Sequence, residues 1–169
     1  MNPVLQVEKV DALVDACEQF LSRYDGGNYF QDVALFLAEN TGCSYVLIGH
    51  LVPEDVNKIR TVVLVANNKV VDNMTYSLFG TPCENVVGRN CCYFPTGVRR
   101  LFPEDKELQD LKIESYFGAP LFRNKEPLGL IVLMNETIIT NAGSIEKALR
   151  VISPRTEQEL TRFLEPAQA

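Results

Sequence analysis

The sequence is poor in the residues that most often build metal or covalent catalytic sites. Its 169 residues contain no tryptophan and a single histidine, His50. One histidine excludes a metal site built from several histidines. The chain has no P-loop, no dinucleotide-binding fingerprint and no Ser-His-Asp arrangement. These absences favour a binding or regulatory domain over an enzyme, and we predict no catalytic residue, no metal ligand and no particular cofactor.

Long apolar runs and basic clusters are also missing. No stretch approaches the roughly 20 apolar residues of a membrane span, and the N-terminus lacks the apolar run of a signal peptide. The net charge is −6, and Arg99 and Arg100 form the only local basic pair. This balance argues against nucleic acid or anionic lipid as a partner. The five cysteines include no CxxC pair, which indicates reduced thiols in a cytoplasmic protein.

Helical periodicity marks both ends of the chain. Apolar residues at spacings of three and four predict a helix over residues 4–23, amphipathic and suited to a short coiled coil. Its stripe consists of Val7, Val10, Val14, Cys17 and Leu21. A second helix is expected over residues 29–40 and a last one over 142–164, where Pro154 predicts a kink or a short break.

Between these helices the pattern changes to that of strands. Six are expected, over residues 44–52, 59–66, 74–79, 91–94, 115–122 and 127–135. Hairpin connections between them imply a mostly antiparallel sheet. Pro120 must lie at a strand end or edge, because it has no N–H to donate. We therefore predict an α+β domain whose terminal helices cover one face of the sheet, while residues 80–112 cover the other.

Residues 81–84, Thr-Pro-Cys-Glu, have the pattern of a helix start. Thr81 is the expected N-cap, Pro82 suits the first helical position, and Glu84 completes a capping box. A helix is therefore expected from Pro82 to about Val87. A further helix is expected to begin at residues 103–105, Pro-Glu-Asp.

Three motifs in this region resemble those of one family. GTPCE at 80–84 precedes a short helix, FPED at 102–105 precedes another, and SYFGAPL at 115–121 is followed eight residues later by Gly129. Together they resemble a GAF domain, most closely those of bacterial sensor kinases and related signalling proteins. The resemblance implies a central antiparallel sheet of five to six strands flanked by helices. It divides the chain into an N-terminal dimerisation or signalling helix (1–26), a GAF domain (27–165) and a tail (166–169).

The resemblance implies a regulatory module that senses a small molecule and couples its pocket to terminal helices that pair in a homodimer. It leaves open the ligand, and whether an output domain is attached in a longer protein. One alternative is a ligand-free dimerisation or interaction scaffold. Another is a thiol-based redox sensor or enzyme that uses Cys83.

Several subtypes of the family fit poorly. Cyclic-nucleotide-binding members carry F-x-x-x-D-E, whereas Phe102 here precedes Lys106 and Glu107. Bilin-binding members attach their chromophore through a cysteine commonly followed by histidine, and His50 is far from every candidate cysteine. The cysteines also do not match the set of the free-methionine sulfoxide reductases.

The predicted ligand pocket lies between the sheet and residues 80–112. Its candidate residues are Tyr45, Phe79, Cys83, Val87, Tyr93 and Tyr116. Among the aromatic candidates, Tyr93 and Tyr116 are preferred because a buried tyrosine hydroxyl needs a partner. Cys83 is either a thiol whose pKa is lowered by the start of a helix or a small apolar filler.

Overall fold

The computed structural model describes residues 11–165 and is built around one antiparallel sheet. Its strands are β1 (Tyr45–Val52), β2 (Asp55–Ala66), β3 (Lys69–Val71), β4 (Thr75–Ser77), β5 (Cys92–Phe94), β6 (Ser115–Arg123) and β7 (Glu126–Asn135). Its helices are α1 (Ala12–Arg23), α2 (Tyr29–Thr41), α3 (Val98–Leu101), α4 (Lys106–Asp110) and α5 (Ala142–Leu164), and Pro82–Asn85 form a 3₁₀ turn.

The sheet has the order β3-β2-β1-β7-β6-β5, and β4 also pairs with β2. Every pairing is antiparallel, which confirms the predicted fold class. The described residues form seven strands rather than five or six, because a tight turn at Asn67 and Asn68 folds β3 back on β2. Both turn residues have positive φ, 51° and 64°, a conformation that asparagine tolerates better than most residues.

Pro120 lies inside β6 and pairs with Leu130 of β7 on one side. β5 pairs with β6 only at residues 116–118, so β6 is an edge strand beyond that point. The predicted edge position of Pro120 is therefore confirmed.

One face of the sheet is covered by α1, α2 and α5. Their apolar residues join those of the sheet in one core that includes Cys17, Leu37, Ile131 and Leu149. Two contacts that involve polar groups help to hold this layer of helices together. Tyr29 shares a 2.8 Å hydrogen bond with Thr156, and the Arg155 guanidinium lies over the rings of Tyr24 and Tyr29.

α1 is capped by Asp11, whose carboxylate accepts a hydrogen bond from the Val14 N–H. The first seven residues of the predicted helix, 4–10, lie outside the described part of the chain. Within that part, Cys17 is fully buried and Leu21 packs against the same core. These two residues of the predicted stripe are thus covered by the chain's own core.

α5 runs from Ala142 to Leu164, as predicted, and the expected break at Pro154 is not found. Pro154 and Arg150 are both exposed. The Arg150 carbonyl, which a proline deprives of its usual N–H partner, is therefore open to water, and this lowers the cost of the proline.

The opposite face is covered by the 3₁₀ turn, α3 and α4. Val86, Val98, Leu108 and Ile113 pack there on sheet residues such as Leu130 and form a second core. Residues 80–112 thus cover the face of the sheet opposite the terminal helices, as the sequence predicts.

The capping box expected at Thr81 is wrong. The Thr81 hydroxyl donates to the Leu78 carbonyl at 2.8 Å and caps no helix. Only a 3₁₀ turn over Pro82–Asn85 follows, instead of an α-helix to Val87. The helix expected to begin at residues 103–105 is α4, and it is capped by Asp105, whose carboxylate accepts from the Leu108 N–H.

Gly129 should be essential for the pairing of β1 and β7. A Cβ at this position would lie 2.0 Å from the Gly49 carbonyl oxygen and 2.9 Å from the His50 Cα. Because backbone atoms cannot yield as a side chain can, Gly129→Ala is expected to lower the free energy of unfolding by at least about 2 kcal/mol. Urea denaturation measures this loss.

Gly143→Ala is the matched control. Nothing lies within 4 Å of a Cβ there, and alanine favours the helix by up to about 1 kcal/mol. Its stability should be unchanged or slightly raised. A Gly129→Ala protein as stable as the unsubstituted one would contradict the packing described here.

Candidate functional site

A cavity of about 180 Å³ lies between the sheet and residues 80–112. Its floor consists of apolar residues of three adjacent strands, Leu47, Leu64, Val132 and Met134. Its roof is made by Cys83, Leu108 and Leu111. The alternation of side chains along each strand places these floor residues on the face away from α1, α2 and α5.

Three tyrosines, Tyr45, Tyr76 and Tyr116, supply the aromatic part of the lining. The hydroxyls of Tyr76 and Tyr116 both donate to the Cys83 sulfur, at 3.3 Å and 3.1 Å. The Tyr45 hydroxyl donates to Glu136 at 3.4 Å, just beyond the end of β7. The polar atoms of this lining are therefore held in fixed positions by partners within the protein.

Burial keeps the Cys83 thiol neutral. It raises the pKa of Cys83 to about 11, although hydrogen bonds from Tyr116 and Tyr76 act in the opposite direction. Burial likewise raises the pKa of Tyr76 and that of Tyr116 well above the ordinary tyrosine value. Of the two alternatives for Cys83, the buried filler agrees with this raised pKa, and the thiol whose pKa is lowered by the start of a helix does not.

Two residues in the roof of the cavity have ionisable acidic side chains. Asp105 and Glu107 are both carboxylates, and the cavity is lined by no lysine, arginine or histidine. Asp105 is half-buried, and this burial raises the pKa of its carboxyl. Glu107 and Val71 are exposed and lie where the cavity meets solvent.

Of the six predicted pocket residues, the structure brings Tyr45, Cys83 and Tyr116 together around the cavity. The other three do not line it. Phe79 follows the end of β4 and is 76% exposed. Val87 follows the 3₁₀ turn and packs against the second core from outside the cavity. Tyr93 lies on the opposite face, where its ring contacts Phe117 and its hydroxyl donates to the Ile139 carbonyl.

Tyr76 and the two acids were missed by the sequence analysis. Met74, Tyr76 and Leu78 alternate along one short segment, and this period of two could have identified Tyr76 as facing inward. No comparable signal marks Asp105 or Glu107, because acids at the start of a helix are already explained by capping.

His50 has a structural role. It is 2% exposed, and its Nδ1 lies 2.8 Å from the Leu51 carbonyl oxygen. Across residues 11–165, no group of three or more His, Cys, Asp or Glu side chains is placed to hold a metal ion.

Comparison with solved structures identifies the fold. The GAF domain of a phosphoenolpyruvate-protein phosphotransferase from Acinetobacter is similar, with a TM-score of 0.68 and 11% identity over 89% of this chain and 93% of that chain. The chromophore-binding domain of a bacteriophytochrome from R. palustris gives a TM-score of 0.67 at 9% identity. That alignment covers 88% of this chain but 60% of the bacteriophytochrome chain.

The fold also occurs in an enzyme. A type II free methionine-R-sulfoxide reductase from Thermoplasma acidophilum gives a TM-score of 0.62 at 15% identity, covering 89% of this chain and 96% of that chain. The chain therefore has the GAF fold, as its motifs suggest. No family model matches the sequence, and no curated protein matches it. In the part of the chain that the structure describes, no helix is long and apolar enough to cross a membrane.

The burial and neutral state of Cys83 predict low reactivity toward alkylating agents. With iodoacetamide at pH 8, the exposed Cys91 should be modified at least about tenfold faster than Cys83, because only the thiolate reacts and only Cys91 is open to the reagent. Peptide mass spectrometry over time measures both rates. Modification of Cys83 at a rate equal to that of Cys91 would contradict this environment and revive the thiol-based hypothesis.

Proposed function

We propose that this chain is a sensory module of a signal-transduction protein, and that its cavity binds a small molecule. The observation that carries the proposal is the cavity itself, which has largely apolar walls and a few fixed polar groups. Such a combination is typical of small-molecule sites. The fold supports the same assignment, since solved neighbours include GAF and phytochrome domains.

The volume of the cavity limits the size of the ligand that it can bind. An apolar cavity of ~150 Å³ is large enough to bind benzene, and this one measures about 180 Å³. The space therefore suits one ring with a short substituent. It is too small for a nucleotide or a tetrapyrrole.

A route from the cavity toward α5 passes through the end of β7. Tyr45 lines the cavity and donates to Glu136, in the connection between β7 and α5. Ser115, next to the cavity residue Tyr116, donates to the Thr137 carbonyl in the same connection at 2.6 Å. A ligand that changes the packing of either tyrosine would act directly on the chain that leads into α5.

Homodimerisation through the terminal helices is the second part of the proposal. α1 packs against α5, and the C-terminal end of α5 leaves Phe163 57% exposed. A dimer formed by these helices would pass a change in α5 to the partner subunit and to an output domain in a longer protein.

A ligand-free scaffold is the competing candidate. Within residues 11–165, no buried side-chain nitrogen or oxygen lacks a hydrogen-bond partner. The cavity lining is therefore satisfied without a ligand, as a scaffold would require. An enzymatic role has less support, because Cys83 is buried and neutral.

Ligand binding is tested with two matched variants on β3. Val71 lines the cavity and is 40% exposed, whereas its neighbour Val70 is 39% exposed and outside the lining. The probe is 2-phenylethanol, a neutral single ring, within a wider panel of small metabolites. It should raise the melting temperature of the unsubstituted protein and of Val70→Phe by mass action.

In Val71→Phe the added ring should occupy part of the cavity, so the shift in melting temperature should fall by at least half. If no compound in the panel raises the melting temperature, or if Val71→Phe responds like Val70→Phe, the sensory proposal fails and the scaffold remains.

Dimerisation has its own test. Light scattering coupled to size-exclusion chromatography should give twice the monomer mass at high protein concentration. Phe163→Glu should shift the mass toward the monomer, because a charge would then be buried at the helix contact. A strict monomer before substitution would remove the dimer from the proposal and leave ligand binding untouched.

A further inference from the structure

We propose that the ligand of this cavity is a small aromatic amine, with its ring on the apolar floor and its ammonium group beside Asp105. This inference rests on the proposed function, since it assigns a chemical class to the ligand of the same cavity.

The charged side chains that line the cavity are all acidic. Asp105 and Glu107 are its only ionisable groups of either sign apart from the neutral tyrosines and Cys83. Neither carboxylate forms an ion pair with a lysine or arginine among the ion pairs of residues 11–165. Both are therefore available to a cation that enters from solvent.

Asp105 is held in place for this role. One of its carboxylate oxygens accepts from the Leu108 N–H at 3.2 Å, as the N-cap of α4. This bond fixes the carboxylate at the roof of the cavity. Burial raises the pKa of Asp105, which means that its charge is poorly solvated there. An ammonium group beside it would replace the missing water.

The rest of the cavity lining is compatible with both the aromatic ring and the ammonium group of the proposed ligand. Leu47, Leu64 and Val132 provide an apolar floor. The aromatic faces of tyrosines attract cations as well as rings, and Tyr45, Tyr76 and Tyr116 all lie in the lining. The lining therefore offers apolar surface to the ring of a protonated amine, and aromatic faces and a carboxylate to its ammonium group.

The same lining opposes anions. A carboxylate or phosphate group would be desolvated near two carboxylates with no positive side chain to compensate it. Acidic metabolites and phosphorylated compounds are thus poor candidates, whatever their size.

Three probes of nearly equal shape separate these effects: 2-phenylethylamine, 2-phenylethanol and phenylacetate, which are cationic, neutral and anionic at pH 7.5. Isothermal titration calorimetry on the unsubstituted protein should give the tightest binding for the amine. A charge-assisted contact predicts that it binds about tenfold more tightly than the alcohol. Phenylacetate should bind at least tenfold more weakly than the alcohol.

Asp105→Asn is the decisive variant. Asparagine is as good an N-cap as aspartate, so α4 should form normally while the charge is lost. The affinity for 2-phenylethylamine should fall about tenfold and that for 2-phenylethanol should stay within twofold. Asp110→Asn, an exposed position in the same helix and outside the lining, should change neither affinity.

The outcomes distinguish this inference from the function on which it rests. Phenylacetate binding as tightly as the amine, or an unchanged amine affinity in Asp105→Asn, overturns the amine assignment while leaving the cavity as a ligand site. If none of the three binds but another compound gives a shift that Val71→Phe abolishes, the amine assignment again fails alone. If no compound binds, both fail.

Discussion

The central strands of this sheet are buried on both faces, and this constraint determines where everything else can lie. β1 and β7 pair with each other, and seven of the eight residues of β1 and seven of the ten residues of β7 are buried. Two layers are needed to cover such strands. α1, α2 and α5 form one of them, and residues 80–112 form the other. The cavity belongs to the second layer, so the sheet separates it from the terminal helices.

Under the proposed function, a signal from the cavity would therefore have to cross or pass around the sheet. Neighbouring residues of β7 face opposite layers, with Val132 toward the cavity and Ile131 and Leu133 toward the helices. The contacts of Tyr45 with Glu136 and of Ser115 with Thr137 lie at the end of the sheet, where the chain turns into α5. This end of the sheet connects the cavity wall covalently to α5.

Much of the fold could be predicted from the sequence because long, periodic elements carry strong signals. The bounds of α5 and the edge position of Pro120 are examples. Short elements were harder. β3 is only three residues long, and all three are exposed. The hydroxyl of Thr81 donates to a backbone carbonyl and does not accept from a helix N–H.

The site was predicted only in part for the same reason. Tyr93 was expected to face the pocket, but the direction of a side chain on a three-residue strand changes with a register shift of one residue. Cys83 does line the cavity, but its ionisation depends on burial that no local pattern reveals. Asp105 and Glu107 are brought next to the cavity only by tertiary packing, which local sequence patterns do not indicate.

The proposed function requires a cavity that responds to its ligand and passes that response to α5. Hydrogen–deuterium exchange with and without saturating 2-phenylethylamine tests this most directly. Exchange should slow in residues 80–112, which roof the cavity, and change in residues 136–141, which lead into α5. Unchanged exchange in both segments, or changes confined to α1 and α2, would contradict it.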